Sequence, residues 1–242
     1  MIRRVILVTG HPQDEEDKNA DNFYLNYYYH YFRGNSGGAY DEDEILIYEQ
    51  PKVSELKSLT TDFKADYAVI VLIGHGATTN EKQAFQINED EIIKAGQLEL
   101  DIDKQLIIVE SCRNIHDKVF LIDLNDKLPK FKYGGTVRAP INRDKAKELY
   151  KERILKCNNG LTVCLACSKD ESAWNYYFSF SLIQAGFNWR LSSQNHFQTL
   201  GIHSLMEFVK TNVQELTKKE VDEEQNPEII GIEDFPFSVS KF

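Results

Sequence analysis

Four short stretches of this sequence are apolar at nearly every position, and they constrain the fold more than any other feature. Continuous Val/Ile/Leu-rich runs without polar alternation are typical of strands covered on both faces, as in a mostly parallel sheet between layers of helices. A shorter run at 44–51 predicts a further strand. The four runs are RVILVTG (4–10), DYAVIVLIG (66–74), QLIIVES (105–111) and GLTVCLACS (160–168).

Segments with helical spacing of apolar residues alternate with these runs. Asp21 is a possible cap for the first of them, and the third begins at Asn142. An alternation of strands and helices predicts an α/β sandwich. We find no internal repeat and no break in composition, so we expect a single domain over residues 1–242. The predicted helices are 21–33, 54–64, 142–157 and 203–216.

One long segment, 115–141, has no clear periodicity. A connection of this length inside a compact domain is usually a functional or mobile loop. It begins directly after the end of the strand predicted at 105–111.

A histidine and a cysteine follow two of the predicted strands. His75 stands between two glycines after 66–74, and Cys112 comes after 105–111. In a parallel sheet, reactive groups gather at the carboxyl ends of the strands. We predict that these two strands are parallel neighbours, which brings both side chains to one edge. A base can activate a thiol as a nucleophile, and the N–H groups of Gly76 and Cys112 could hold an oxyanion. Taken singly, a Gly-His-Gly is more often a turn, and a cysteine that ends a strand is more often a core residue.

The segment IIVESCRN at 107–114 resembles the nucleophile segment of caspases. As in caspases, metacaspases and their bacterial relatives, a His-Gly after a hydrophobic strand lies upstream, here with a separation of 37 residues. Glu110 departs from caspases, which carry glutamine there, and Asn114 replaces a glycine. Further stretches resemble compact bacterial caspase-like proteins, at 37–45, 142–154, 159–174 and 225–237.

This resemblance implies a caspase-like three-layer sandwich with a mostly parallel central sheet and the activity of a cysteine endopeptidase. His75 would be the acid and base, and Cys112 the nucleophile that forms an acyl-enzyme. We expect a protein or peptide substrate. Control would come from a separate regulatory or sensor protein, from self-cleavage, or from the substrate itself.

The residue type at 110 bears on which peptide bond is cut. Glu110 should face the same way as Cys112, because strand residues two apart share a face. Metacaspases have an acidic residue at the matching position and accept arginine or lysine. The segment 166–175 resembles one that carries Ser-Trp-Arg in caspases, but here Asn175 follows Trp174 in place of the arginine that grips aspartate.

We therefore predict a substrate pocket formed by Glu110, Asp170 and Trp174 and cleavage after Lys or Arg. Asp170 and Glu171 could instead belong to an ordinary solvated turn. Because the loop 115–141 carries basic residues next to the nucleophile, we also predict self-cleavage within it.

Composition argues against other partners. The net charge of −10, from 38 acidic and 28 basic residues, disfavours nucleic acid. No stretch approaches 18 consecutive apolar residues, and the N-terminus lacks a signal-peptide pattern, so we expect no membrane span. Four cysteines are too few for a disulfide framework, which favours the cytoplasm.

Metal sites are weakly indicated, and we expect no cofactor. Cys164 and Cys167 form a C-x-x-C, but residues three apart on a strand face opposite sides, and Cys157 adds only a third thiol. The acidic clusters Asp14–Asp17 and Asp41–Glu44 could hold calcium, yet they lack the ligand spacing of a calcium loop. We interpret both clusters as solvated loops.

Two other functions remain open at this point. The domain could be a caspase-like interaction or scaffold module that acts through a partner with little turnover. It could also hydrolyse amides or esters other than peptides.

Overall fold

The computed structural model describes residues 1–62, 64–79, 82–94, 99–112, 141–174, 176–191 and 198–241. Nearly all of the loop predicted at 115–141 lies outside these residues, as does Asn175. A long loop and self-cleavage within it therefore stay predictions.

A six-stranded sheet in the order β10-β8-β7-β3-β1-β2 forms the centre of the fold. β10 pairs with β8 in antiparallel fashion, and the other neighbours are parallel. All five strands predicted from the apolar runs are confirmed. The strands of this sheet are β1 (Arg3–Thr9), β2 (Ile45–Glu49), β3 (Tyr67–Ile73), β7 (Lys104–Glu110), β8 (Gly160–Leu165) and β10 (Glu228–Ile230).

Apolar residues bury both faces of this sheet. Along β1, Val5 and Leu7 belong to one core, whereas Ile6 and Val8 belong to the other. The first core contains residues of α1, α3, α4 and α5, and the second contains Leu56 of α2. This double coverage explains why the strands lack polar alternation, and it confirms the three-layer sandwich. The helices are α1 (Glu15–Arg33), α2 (Val53–Asp62), α3 (Arg143–Lys156), α4 (Tyr177–Leu191) and α5 (Ile202–Glu220).

Two small sheets complete the described part of the chain. Their strands are β4 (Gly76–Thr79), β5 (Lys82–Gln86), β6 (Ile92–Lys94), β9 (Thr199–Gly201) and β11 (Pro236–Val239). The first three pair in the order β4-β5-β6, and β11 pairs with β9. β4 begins one residue after His75, so this sheet fixes the backbone that leads away from the histidine.

The start of α1 corrects two expectations. The helix begins at Glu15 and not at Asp21, and the side chain of Asp14 caps it by accepting the N–H of Asp17 at 2.9 Å. The cluster Asp14–Asp17 is therefore a helix N-terminus and not a solvated loop. Acidic residues stabilise the first turn of a helix, because the backbone N–H groups there have no partner within the helix. The first turn of α1 is therefore helical although its residues show no apolar pattern.

The second acidic cluster, Asp41–Glu44, lies at the surface as predicted, with Glu42 and Asp43 exposed, but it is a structured segment and not a free loop. Asp41 precedes a short 3₁₀ helix over Glu42–Glu44, and it pairs with Arg143 and Lys147. Glu44 accepts two hydrogen bonds at 3.0 Å from the guanidinium of Arg3, which is fully buried. The cluster ties the chain between α1 and β2 to the sheet.

None of the helices in the described ranges is long and apolar enough to cross a membrane.

Candidate active site

The sheet register places His75 and Cys112 at the same edge of the sheet. β3 and β7 are parallel neighbours, as predicted, and Ile73 pairs with Glu110 in the last step of their register. His75 and Cys112 each lie two residues beyond this pair, at the carboxyl ends of the two strands. The N–H of Gly74 donates to the carbonyl of Glu110 at 3.1 Å, which extends the pairing toward the site.

Gly76 brings the two chain segments into close contact. A Cβ at this position would lie 2.6 Å from Oγ of Ser111 and 2.8 Å from the carbonyl oxygen of Cys112. Gly76 pairs with Phe85, while the carbonyl of His75 accepts the N–H of Gln86 at 2.9 Å. In an antiparallel ladder this pattern directs the Gly76 N–H away from β5, because bonded and non-bonded pairs alternate.

The thiol of Cys112 is half-buried at the end of β7, and its Sγ donates to the carbonyl of Ala173 at 3.3 Å. Burial raises the pKa of this thiol above its ordinary value, and the carboxyls of Glu110 and Asp17 act in the same direction. The protonated thiol is therefore the favoured form, and a base must remove its proton before the sulfur can attack.

Asp17 contacts the imidazole of His75. Its Oδ2 lies 2.8 Å from Nε2 of His75, and the same oxygen accepts the N–H of Gln13 at 3.1 Å. The Asp17 side chain is 4% exposed and that of His75 is 20% exposed. The start of α1 thus supplies a buried carboxylate to the histidine.

Two more buried carboxyl groups lie near this pair. Burial raises the pKa of Asp21 to about 7, and the carboxyls of Asp17 and Glu110 contribute to the shift. Burial also raises the pKa of Glu110 to about 7. Asp21 accepts the hydroxyl of Tyr176 at 2.8 Å, and Glu110 accepts the N–H of Ser179 in the first turn of α4 at 2.5 Å. The site therefore contains several carboxyl groups shielded from water.

The residues predicted for the substrate pocket occupy different environments. Glu110 is buried two residues before Cys112, and its carboxyl group is bound to α4. Trp174 is half-buried, and its backbone N–H donates to the side-chain oxygen of Gln225 at 3.0 Å. Asp170 is exposed in a turn and has a φ of 66°. Its neighbour Glu171 accepts N–H groups of Ser168 and Asn226, so that carboxyl group holds two loops together. The structure thus brings Glu110 to the cysteine and leaves Asp170 in a surface turn.

The cysteines considered for zinc are core residues in the described chain. Cys164 and Cys167 are both fully buried, and Cys157 is 8% exposed at the end of α3. Within the described ranges, no group of three or more His, Cys, Asp or Glu side chains is placed to hold a metal ion.

Sequence reasoning missed Asp17 and Asp21. Both lie in α1, which follows β1, and β1 is the neighbour of β3 in the sheet. The signal was present, since the carboxyl end of β1 must lie at the same edge as the carboxyl end of β3. An acidic segment directly after such a strand is a candidate part of the site at that edge.

Solved structures with the same architecture confirm the fold. Caspase-1 from Spodoptera frugiperda superposes with a TM-score of 0.57 at 12% sequence identity, covering 99% of this chain and 90% of the caspase chain. The chain has the caspase fold. The Drosophila initiator caspase Dronc has a TM-score of 0.52 at 10% identity, with coverage of 98% and 81%. No protein-family model and no curated protein sequence matches this chain. Identities this low show a shared fold alone.

Proposed function

We propose that this protein is a cysteine endopeptidase that cuts polypeptides through an acyl-enzyme, with Cys112 as the nucleophile and His75 as the acid and base. The observation that carries the proposal is the equivalent placement of the two residues beyond the paired ends of β3 and β7. A base beside a protonated thiol is the arrangement that nucleophilic catalysis requires. The caspase fold supports the same chemistry, because this constellation sits at the edge of the sheet where open α/β proteins bind ligands.

The proposed reaction runs in two stages. His75 takes the proton from Sγ of Cys112, and the sulfur attacks the carbonyl carbon of the scissile bond. The N–H groups of Gly76 and Cys112 hold the resulting oxyanion, and the direction of the Gly76 N–H away from β5 supports its part in this role. The imidazolium then gives its proton to the leaving amine. Water, deprotonated by His75, finally releases the acyl group from the sulfur.

We propose that the bond cut follows Lys or Arg. Three buried carboxyl groups, those of Asp17, Asp21 and Glu110, lie close enough to Cys112 or to one another to raise neighbouring pKa values. A cationic side chain would favour the ionised form of these carboxyls, whereas an aspartate side chain would add to their repulsion. Glu110 and Asp21 are therefore the carboxyls proposed for specificity, Trp174 remains a proposed pocket residue, and Asp170 lies apart from them in an exposed turn.

A covalent probe separates this function from the alternatives. We expect a peptidyl chloromethylketone ending in lysine to label the wild-type protein at one site, and Cys112→Ala to prevent labelling. Fluorogenic peptides with Lys, Arg, Asp or Leu before the bond should show cleavage after Lys and Arg. Labelling without turnover of any peptide would favour an interaction module. Turnover of simple esters or amides but of no peptide would favour a different hydrolase.

A further inference from the structure

The contact between Asp17 and His75 has a consequence for catalysis that rests on the proposed peptidase function. We propose that Asp17 is a positioning residue that fixes the orientation and the tautomer of His75, so that the site works as an Asp-His-Cys triad. The 2.8 Å bond between Oδ2 of Asp17 and Nε2 of His75 carries the inference.

The bond determines which ring nitrogen acts as the base. A carboxylate only accepts hydrogen bonds, so Nε2 of the neutral imidazole must carry the proton that it shares with Asp17. The lone pair is then on Nδ1. This nitrogen takes the proton of the Cys112 thiol and later gives it to the leaving amine, while Nε2 keeps its proton throughout.

The surroundings of Asp17 hold the carboxylate in place. Its Oδ2 accepts the N–H of Gln13 at 3.1 Å, and its own N–H donates to Oδ1 of Asp14 at 2.9 Å. Asp17 lies in the first turn of α1, where the N–H ends of the helix favour a negative charge. Because a backbone N–H and the first helix turn both hold the Asp17 carboxylate, it is rigid enough to orient the imidazole of His75.

Charge explains why a carboxylate at this point helps the reaction. Asp17 by itself disfavours the thiolate of Cys112, because both groups are negative. Once the proton has moved to His75, however, the imidazolium lies between the two anions and interacts favourably with both. Asp17 therefore stabilises the state after proton transfer more than the resting state, which is the condition for an effect on kcat.

The test combines kinetics with a measurement that does not need turnover. We expect Asp17→Asn to keep KM within a few fold while kcat falls about 100-fold or more, since removing the charge of the corresponding aspartate in Ser-His-Asp sites lowers kcat by up to about 10⁴-fold. Glu16→Gln is the matched control, because it removes a charge from an exposed residue of the same helix turn. We expect kcat to change less than about threefold.

The tautomer can be read from the ring-nitrogen shifts of His75 in protein labelled with ¹⁵N-histidine, with the signal assigned through His75→Ala. We expect the Nε2-protonated form of the neutral ring in the wild type, and a mixture of tautomers in Asp17→Ala. An Nδ1-protonated ring in the wild type, or no change in Asp17→Ala, would overturn the role of Asp17. If the tautomer is as expected but the wild type cuts no peptide, the proposed function fails while the positioning of His75 by Asp17 stands.

A purely structural role for Asp17 predicts a different pattern. In that case Asp17→Asn would lower activity only in parallel with the free energy of unfolding, and KM would change together with kcat. This outcome would also contradict the proposal.

Discussion

Gly76 and Cys112 touch so closely that no side chain fits between them: a Cβ on Gly76 would lie 2.8 Å from the Cys112 carbonyl oxygen. We expect Gly76→Ala to push the two segments apart and to lower kcat/KM about 100-fold, because small displacements at a reacting centre have effects of this size. The measurement is peptide turnover alongside thermal unfolding.

Gly160→Ala is a suitable control for this change. Gly160 begins β8 at the opposite end of the sheet, and among the described residues its Cβ would meet only Cγ of Glu233, at 3.2 Å. We expect near-normal turnover. Full activity in Gly76→Ala would show that the contact between the two segments is not needed for the reaction.

Removal of either proposed catalytic side chain should abolish turnover without unfolding the protein. We expect Cys112→Ala and His75→Ala to lower peptidase activity by several orders of magnitude, since covalent catalysis is lost. Cys157→Ala, at the end of α3, and His30→Ala, on the exposed side of α1, provide matched controls. A Cys112→Ala protein that still cuts peptides would disprove the assignment.

The buried carboxyls should determine the preference for basic residues. We expect Glu110→Gln and Asp21→Asn each to lower kcat/KM for peptides with Lys or Arg before the cut by about 10-fold or more, as one lost charge-assisted contact would. Asp170→Asn removes a charge from an exposed turn and, since asparagine tolerates a positive φ, leaves the backbone unstrained. If Asp170→Asn lowers this kcat/KM more than Glu110→Gln does, the surface turn at Asp170 and not Glu110 forms the pocket. Preference for aspartate would contradict the acidic pocket altogether.

The same carboxyls make stability depend on pH. The pKa of Asp21 rises from an ordinary 3.8 to about 7 on folding, and that of Glu110 rises from 4.5 to about 7. Between about pH 4 and pH 7 the folded protein therefore binds more protons than the unfolded chain, so its free energy of unfolding falls as the pH rises through this window. Below the window both groups are protonated in either state, and the penalty disappears.

Urea unfolding between pH 4 and pH 8 measures this effect. Glutamine at position 110 keeps an oxygen for the Ser179 N–H but cannot ionise, so at pH 8 we expect Glu110→Gln to be more stable than the wild type by on the order of 3 kcal/mol. At pH 4 the two should agree closely. If the free energy of unfolding depends on pH in Glu110→Gln as it does in the wild type, Glu110 ionises in the folded protein as easily as in water.

The buried guanidinium of Arg3 should matter for stability and not for chemistry. Arg3 is fully buried at the start of β1, bonds to Glu44, and donates to the carbonyls of Gly38 and Ala39 at 2.7 and 3.1 Å. Arg3→Met leaves Glu44 and both carbonyls without this partner, which we expect to lower the free energy of unfolding by about 3–5 kcal/mol. Arg4→Met, at a partly exposed side chain, should lower it by less than about 1 kcal/mol. Equal effects of the two changes in urea titrations would contradict the importance of the buried pair.

The sequence was sufficient to predict five of the six strands of the central sheet, because each of these strands carries its own signal, whereas β10 was missed. Strands buried on two faces are apolar at most positions, and this is visible in β1, β3 and β7 without knowledge of their partners. The adjacency of β3 and β7 was expected from the His75 and Cys112 pattern and is confirmed.

Helix α4 was missed because its pattern depends on its neighbours. The segment 177–191 is apolar or small around most of its circumference, and it contacts both α5 and β11, so no polar face reveals the helical period. Asp17 was missed for the opposite reason. The preceding residues Asp14, Glu15 and Glu16 are acidic and exposed, so the sequence could indicate this segment but not the one side chain that turns inward to an imidazole 58 residues away.

The bond between Glu110 and Ser179 joins residues 69 apart in the sequence, across the segment that separates β7 from β8. During synthesis, Asp17, His75 and Cys112 leave the ribosome well before α4 does. A growing chain can therefore contain the nucleophile and its base before α4, which binds Glu110 next to them, has been synthesised. We expect peptidase activity to emerge late in translation, once α4 has packed onto β7, so that a fragment ending before Tyr177 should not cut peptides.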